Sequence, residues 1–185
     1  MSAVPWPKPT RAEQAAAAGR TIPDVVAPGL RVLFCGINPS LYSAATGRHF
    51  ARPGNRFWPA LYASGFTSRL LSPFEQELLL DLGLGITNVV ARSTARADEL
   101  STDELTAGGR ILAAKLVTLR PRWLAIVGVT AYRTAFGHRS AVVGRQDTMI
   151  GQTPVWVLPN PSGLNASYQI DRLAAEFGRL RATAV

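Results

Sequence analysis

Cysteine is nearly absent from this chain. Cys35 stands alone among 185 residues, so an internal disulfide is excluded and a cysteine-based zinc site has no second sulfur. Histidine is almost as scarce, and His49 and His138 have no ligand spacing to each other or to Cys35, which argues against a metal site. No GxGxxG follows the first apolar run and no GxxxxGK[ST] occurs, so dinucleotide and P-loop sites lack their signatures, and no cofactor is expected. No apolar run reaches the roughly 18 residues a membrane span needs. Residues Met1 to Thr10 lack the apolar stretch of a signal peptide, so the expectation is a reducing compartment, most simply the cytoplasm. Acidic residues are also in deficit: 12 Asp plus Glu face 20 Lys plus Arg, a formal net charge of +8. That excess favours a polyanionic partner, nucleic acid above all.

What is present reads as one globular domain of ordinary size. Residues 1–22 form an extension. Pro5, Pro7 and Pro9 preclude regular structure at first, and Thr10-Arg11-Ala12-Glu13 then offers a capping box for a short Ala-rich helix. With few large apolar residues the extension can bury little and is expected to be flexible. The domain proper spans 23–185. Leu30 to Cys35, Gly85 to Val90, Trp123 to Val127 and Val155 to Leu158 are short, almost continuous apolar runs, as in strands buried on both faces. Between them lie helix signals: capping boxes at Ser72-Pro73-Phe74-Glu75 and Ser101-Thr102-Asp103-Glu104, the latter opening a periodic stretch to Leu119, then Thr130 to Phe136 and Ser167 to Leu180. Strands alternating with helices imply crossover connections and a three-layer α/β/α sandwich around a mainly parallel central sheet.

Ligands of such sheets bind outside the carboxyl ends of the strands. Two unusual segments fall there: Gly36-Ile37-Asn38-Pro39-Ser40 after the first run, and Asn160-Pro161-Ser162-Gly163-Leu164-Asn165 after the fourth. Each sets Asn before Pro, which keeps the Asn out of helical angles and projects its amide from a rigid turn. Such an amide can read a base edge or orient water; it can equally close a local Asx turn. A third segment, Gly47 to Trp58, mixes Arg48, Arg52 and Arg56 with three aromatics, where Arg can meet phosphates and an aromatic face can stack on a base. Phe57 and Trp58 read as core anchors of the following helix, and Phe50 as the stacking candidate. Neither Gly36–Ser40 nor Asn160–Asn165 contains a carboxylate, so chemistry there falls to amides, hydroxyls, backbone dipoles and water.

Leu33 to Pro39, Pro53 to Trp58 and Leu158 to Leu164, with Gly85-Ile86-Thr87-Asn88 and Ala107-Gly108-Gly109-Arg110 in matching order, resemble the mismatch-specific uracil-DNA glycosylases and thymine-DNA glycosylases of the uracil-DNA glycosylase superfamily. The resemblance runs from about Val26 to the C-terminal helix. It implies a metal-free, monofunctional base-excision repair enzyme, a monomer acting on double-stranded DNA with G·U or G·T mismatches and associated with the nucleoid when bound. The base is flipped out, its N-glycosidic bond is hydrolysed, and an abasic site remains. By the same resemblance Asn38 is the catalytic residue and positions the attacking water. Ile37, Ser43, Phe50 and Asn88 form the base pocket, with Phe50 stacking on the base and Ser43 at the wall facing a C5 methyl. Asn160, Ser162, Gly163, Leu164 and Asn165 form the loop that enters the duplex, with Leu164 as wedge and its neighbours contacting the widowed guanine.

The chain departs from its relatives at four positions. Ser40 replaces a common Gly, Asn165 and Ala166 stand where some relatives have Ser and Arg, and Ala91 lacks an acidic group found in some relatives. An amide is no strong base, so slow turnover with tight product binding is expected. The alternatives are a damaged-DNA binder that no longer cuts, and a small-molecule nucleotide enzyme on the same frame.

Overall fold

The computed structural model describes Trp6 and residues 8–184; Met1–Pro5 and Pro7, where irregular structure is expected, lie outside the described residues. The four apolar runs become β1 (Val32–Gly36), β2 (Leu84–Asn88), β3 (Trp123–Val127) and β5 (Thr153–Leu158), all parallel to their neighbours in the order β2-β1-β3-β5. A fifth strand has no counterpart in the sequence reading. β4 (Gly144–Ile150) pairs antiparallel with β5 at the sheet edge. It went unseen because its middle, Arg145 to Met149, is mostly solvated and polar, so it carries no apolar run.

Alternate residues of each parallel strand face opposite layers, as the pleat requires. Val32, Phe34, Ala125, Val127, Trp156 and Leu158 join one core, and Leu33, Cys35, Leu124, Ile126, Val155 and Val157 the other. The first core is closed by α3 (Phe57–Ala63), α6 (Ile170–Ala184) and the 3₁₀ run Pro73–Leu82; the second by α4 (Thr102–Leu119) and α5 (Val129–Phe136). This is the expected three-layer sandwich. Phe34 lies at the centre of the first core, edge-on to Phe57 and Phe66 and stacked on Phe177. Phe57 and Trp58 are buried core anchors, as the sequence reading preferred.

Both expected capping boxes of the domain form, at Ser72/Glu75 and Ser101/Glu104, although the first opens a 3₁₀ run kinked at Glu75. α6 begins at Ile170 rather than near Ser167, because Ser167 lies in a turn whose N–H is taken by Asn165 Oδ1 and the Tyr168 carbonyl is taken by Arg56. In the extension, Thr10 and Glu13 complete their box and open α1 (Arg11–Ala16). The sequence reading gave this segment little to bury, yet Ala17 is fully buried with Ile22 against Ala44 and Ala45, two residues of α2 (Leu41–Thr46). Among the described residues, no helix is long and apolar enough to cross a membrane.

Candidate active site

A cavity of about 430 Å³ opens at the carboxyl edge of the sheet. Each of the four parallel strands delivers residues to it: Ile37 and Asn38 after β1, Asn88 ending β2, Val127 ending β3, and Asn160 to Ser162 after β5. Ser43, Phe50 and Leu164 complete the set, so the structure gathers most of the sequence-assigned residues around one space. Gly163 and Asn165 belong to the same loop but do not line the cavity.

The two Asn-Pro turns prove unlike. Asn160 closes a local Asx turn, its Oδ1 accepting from the Ser162 N–H at 2.9 Å. Asn38 instead reaches across to the segment after β2, where its Nδ2 donates to the Arg92 carbonyl at 3.0 Å and to Thr94 Oγ1 at 2.8 Å. The Thr94 hydroxyl proton is committed to the Arg96 carbonyl at 2.7 Å, so both partners of Nδ2 can only accept. The amide orientation is therefore fixed, and Oδ1, with no partner among the described residues, is its open acceptor.

A second oriented amide stands opposite. His49 is buried, and its Nε2 meets the Pro23 carbonyl at 2.9 Å, which requires the proton on Nε2. Its bare Nδ1 then accepts from Asn88 Nδ2 at 3.3 Å. Burial holds the imidazole pKa below its ordinary value, outweighing the Pro23 bond and the nearby Asp24 that raise it, so the ring stays neutral. The Asn88 amide closes over Gly36: a Cβ there would lie 2.5 Å from Asn88 Oδ1 and 3.1 Å from Phe50 Cζ. Only glycine lets both groups converge on the end of β1.

Ser40 is the N-cap of α2: its Oγ accepts from the Ser43 N–H at 3.1 Å. The Ser40 hydroxyl donates to Ser43 Oγ, which also accepts from the Ala51 N–H, so the buried Ser43 keeps its own proton to offer. Phe50 adopts a left-handed conformation, φ 53°, rare for an aromatic residue and associated with functional sites. Phe57 stacks on one face of its ring at 4.0 Å.

The loop arginines divide by task. Arg48 pairs with Glu77. Arg56, one of three arginines in a segment able to meet phosphates, turns inward instead: its guanidinium donates to the carbonyls of Gly163, Asn165 and Tyr168 at 2.8 to 3.1 Å, and its N–H to Pro161. It clamps the loop that carries Leu164, whose side chain is 81% exposed at the loop tip. Arg52 lines the cavity and has no ion pair among the described residues. Among the described residues Asp98 is the one carboxylate lining the cavity; the bidentate Arg96 pair lowers its pKa and holds it ionised. Burial pushes the Cys35 thiol far up, so it stays protonated. Among the described residues no cluster of His, Cys, Asp and Glu could hold a metal ion.

Sequence reasoning missed His49, Arg92, Thr94 and the inward role of Arg56. His49 was weighed only as a metal ligand, and a partner reached through a backbone carbonyl leaves no residue-type signal.

The cavity thus lies at the carboxyl edge of a mainly parallel α/β/α sheet, walled by oriented amides and an aromatic ring, where proteins of the open-sheet α/β class bind their ligands. Comparison with known proteins narrows that class to a family. The model of the uracil DNA glycosylase superfamily matches residues 23–179, and the chain belongs to that superfamily. The fold is shared with a solution NMR structure from Methanosarcina acetivorans, provisionally described as a uracil DNA glycosylase, at 19% identity and a TM-score of 0.55 over 88% of this chain and 98% of that one. A DNA glycosylase role, as a hydrolase of DNA repair, follows from the family.

Proposed function

We propose that this protein is a monofunctional glycosylase that excises uracil mispaired with guanine from duplex DNA. The observation that carries the reading is the Asn38 amide, locked through Nδ2 with Oδ1 left as an acceptor beside a cavity roomy enough for a flipped nucleotide's base. Oδ1 accepts a proton of one water and aims its lone pair at C1′ of the flipped nucleotide. The C1′–N1 bond breaks with its electron pair leaving on the base, water oxygen bonds to C1′, and the released proton reaches the departing base or solvent. The amide orients water without acting as a base, and Asp98 is paired with Arg96.

Rate must then come from stabilising charge on the departing base. The Phe50 N–H, which has no partner among the described residues, and the Asn88 amide are the donors on hand, and one such donor is worth about 10²–10³ in rate. Phe50 presents its outer face to the base while Phe57 backs the inner one. A base inside a stacked duplex is out of reach, so it must be extruded, at a few kcal/mol. A G·U wobble lowers that term, and Leu164 fills the vacated stack. The Ser43 hydroxyl faces the position of a C5 methyl and favours uracil over thymine.

The test is excision at stoichiometric enzyme from duplexes carrying uracil, thymine or ethenocytosine opposite guanine. Alkali-labile sites at uracil, formed faster than at thymine, are expected. Specific binding without any strand breakage after alkali would instead indicate the damaged-DNA binder.

A further inference from the structure

Residues 10–22 precede the stretch matched by the superfamily model, yet they connect to the Asn38 amide through the segment around Ser93. Ser93, 1% exposed, is held by the turn that follows α1 at all three of its polar groups. Its Oγ donates to the Ala17 carbonyl at 2.6 Å, its N–H donates to the Arg20 carbonyl at 2.8 Å, and its carbonyl accepts from the Gly19 N–H at 3.1 Å. The residues on either side of Ser93, Arg92 and Thr94, supply the two acceptors of Asn38 Nδ2. Ile22, at the end of the same segment, lines the cavity and packs with Ala17 against Ala44.

We infer that residues 10–22 are a positioning element of the active site: the extension pins Ser93, the pinned segment holds the Asn38 amide, and Ile22 completes the pocket wall. The inference rests on the reading of Asn38 as the water-holding group. Reacting groups must be held within about 0.5 Å of their productive placement, and a 1 Å displacement can lower a rate by about 10²-fold. Segment 92–94 keeps other ties, the Thr94 N–H to Pro39 and the Arg92–Glu104 pair, so loss of the extension loosens it without unfolding it.

The test uses the full-length protein. Ala17→Asp puts a carboxylate into a fully buried contact and lifts α1 from the body, whereas Ala16→Asp changes an exposed position of the same helix. In single-turnover excision on a G·U duplex, Ala17→Asp should lose about tenfold or more in rate. Its affinity for a duplex with non-hydrolysable 2′-fluorouridine opposite guanine should change by no more than about threefold, and Ala16→Asp should match the wild type. Ser93→Ala should show a smaller loss in rate, restored by Ser93→Thr, which keeps the hydroxyl. A wild-type rate in Ala17→Asp overturns the inference. So does a parallel loss of rate, affinity and melting temperature in Ala17→Asp together with a wild-type rate in Ser93→Ala. A readout independent of activity separates this from failure of the proposed function. The Asn38 side-chain NH₂ resonance, assigned by its disappearance in Asn38→Ala, should shift in Ala17→Asp and Ser93→Ala and stay in Ala16→Asp. An unmoved resonance overturns the positioning role even if uracil is excised; a moved one in a protein that excises nothing removes only the glycosylase reading.

Discussion

At the scale of single residues, the site works by pairing each amide with partners that leave it one orientation. Asn38 is fixed by two acceptors that cannot donate, Asn88 by a histidine whose tautomer is set by the Pro23 carbonyl. On the proposed mechanism Asn38→Ala removes the water's acceptor, and it should slow single-turnover excision by about 10²–10³ while leaving lesion affinity near wild type. A mutant that cuts at the wild-type rate would take Asn38 out of its role. His49 carries a pH signature. Its folded pKa lies below the ordinary 6.5, so the unfolded chain takes up the proton first. The stability this contributes is fully present above pH 6.5 and is lost as pH falls through the folded value. Denaturant unfolding at pH 7.5 and 5.5 should therefore show a steeper loss for the wild type than for His49→Gln. Equal losses would mean that His49 is not buried neutral.

At the scale of elements, the Leu164 loop is a surface segment given a rigid shape by a residue far from it in sequence. Arg56 gathers three of its carbonyls, and no other side chain could span them with one planar group. If Leu164 is the proposed wedge, Arg56→Ala and Leu164→Ala should both lower excision from duplex by about tenfold or more while sparing single-stranded substrate, since a wedge matters only when a stack must be opened. Comparable losses on both substrates in a gel assay would contradict this. The Gly108-Gly109 pair of α4 has a plainer explanation. A Cβ on Gly108 would lie 2.2 Å from the Val89 carbonyl and one on Gly109 2.6 Å from the Ala135 carbonyl, so Gly108 lets the helix lie on the chain leaving β2 and Gly109 lets it lie on α5. These elements were unevenly legible. The buried parallel strands announce themselves as apolar runs, and α4 by its capping box, because both signals are local. β4 is half solvated, and the docking of α1 depends on alanines, whose small side chains carry no burial signal until a partner surface is known.

At the scale of the molecule, a net charge of +8 acts with a cavity on one edge of the sheet. Binding to duplex DNA should weaken steeply with salt, with a log–log slope of about −0.9 for each phosphate neutralised. Arg52→Ala should reduce that slope by about one and weaken matched and mismatched duplexes alike, as a phosphate contact does. A titration series in which mismatch preference falls instead would assign Arg52 to base reading.

The sequence by itself determined the sheet's parallel core, the two chemically unusual Asn-Pro turns at strand ends and the absence of a carboxylate within them, because periodicity, capping and turn preferences act over a few residues. Only the tertiary structure decided what those turns do. Asn160 folds back on its own loop, whereas Asn38 is oriented by Arg92 and Thr94, more than fifty residues away. Those two residues are steadied in turn by the extension through Ser93. The orientation of an amide depends on which acceptors the fold brings within 3 Å, and that is a property of distant chain segments meeting, which no local pattern carries.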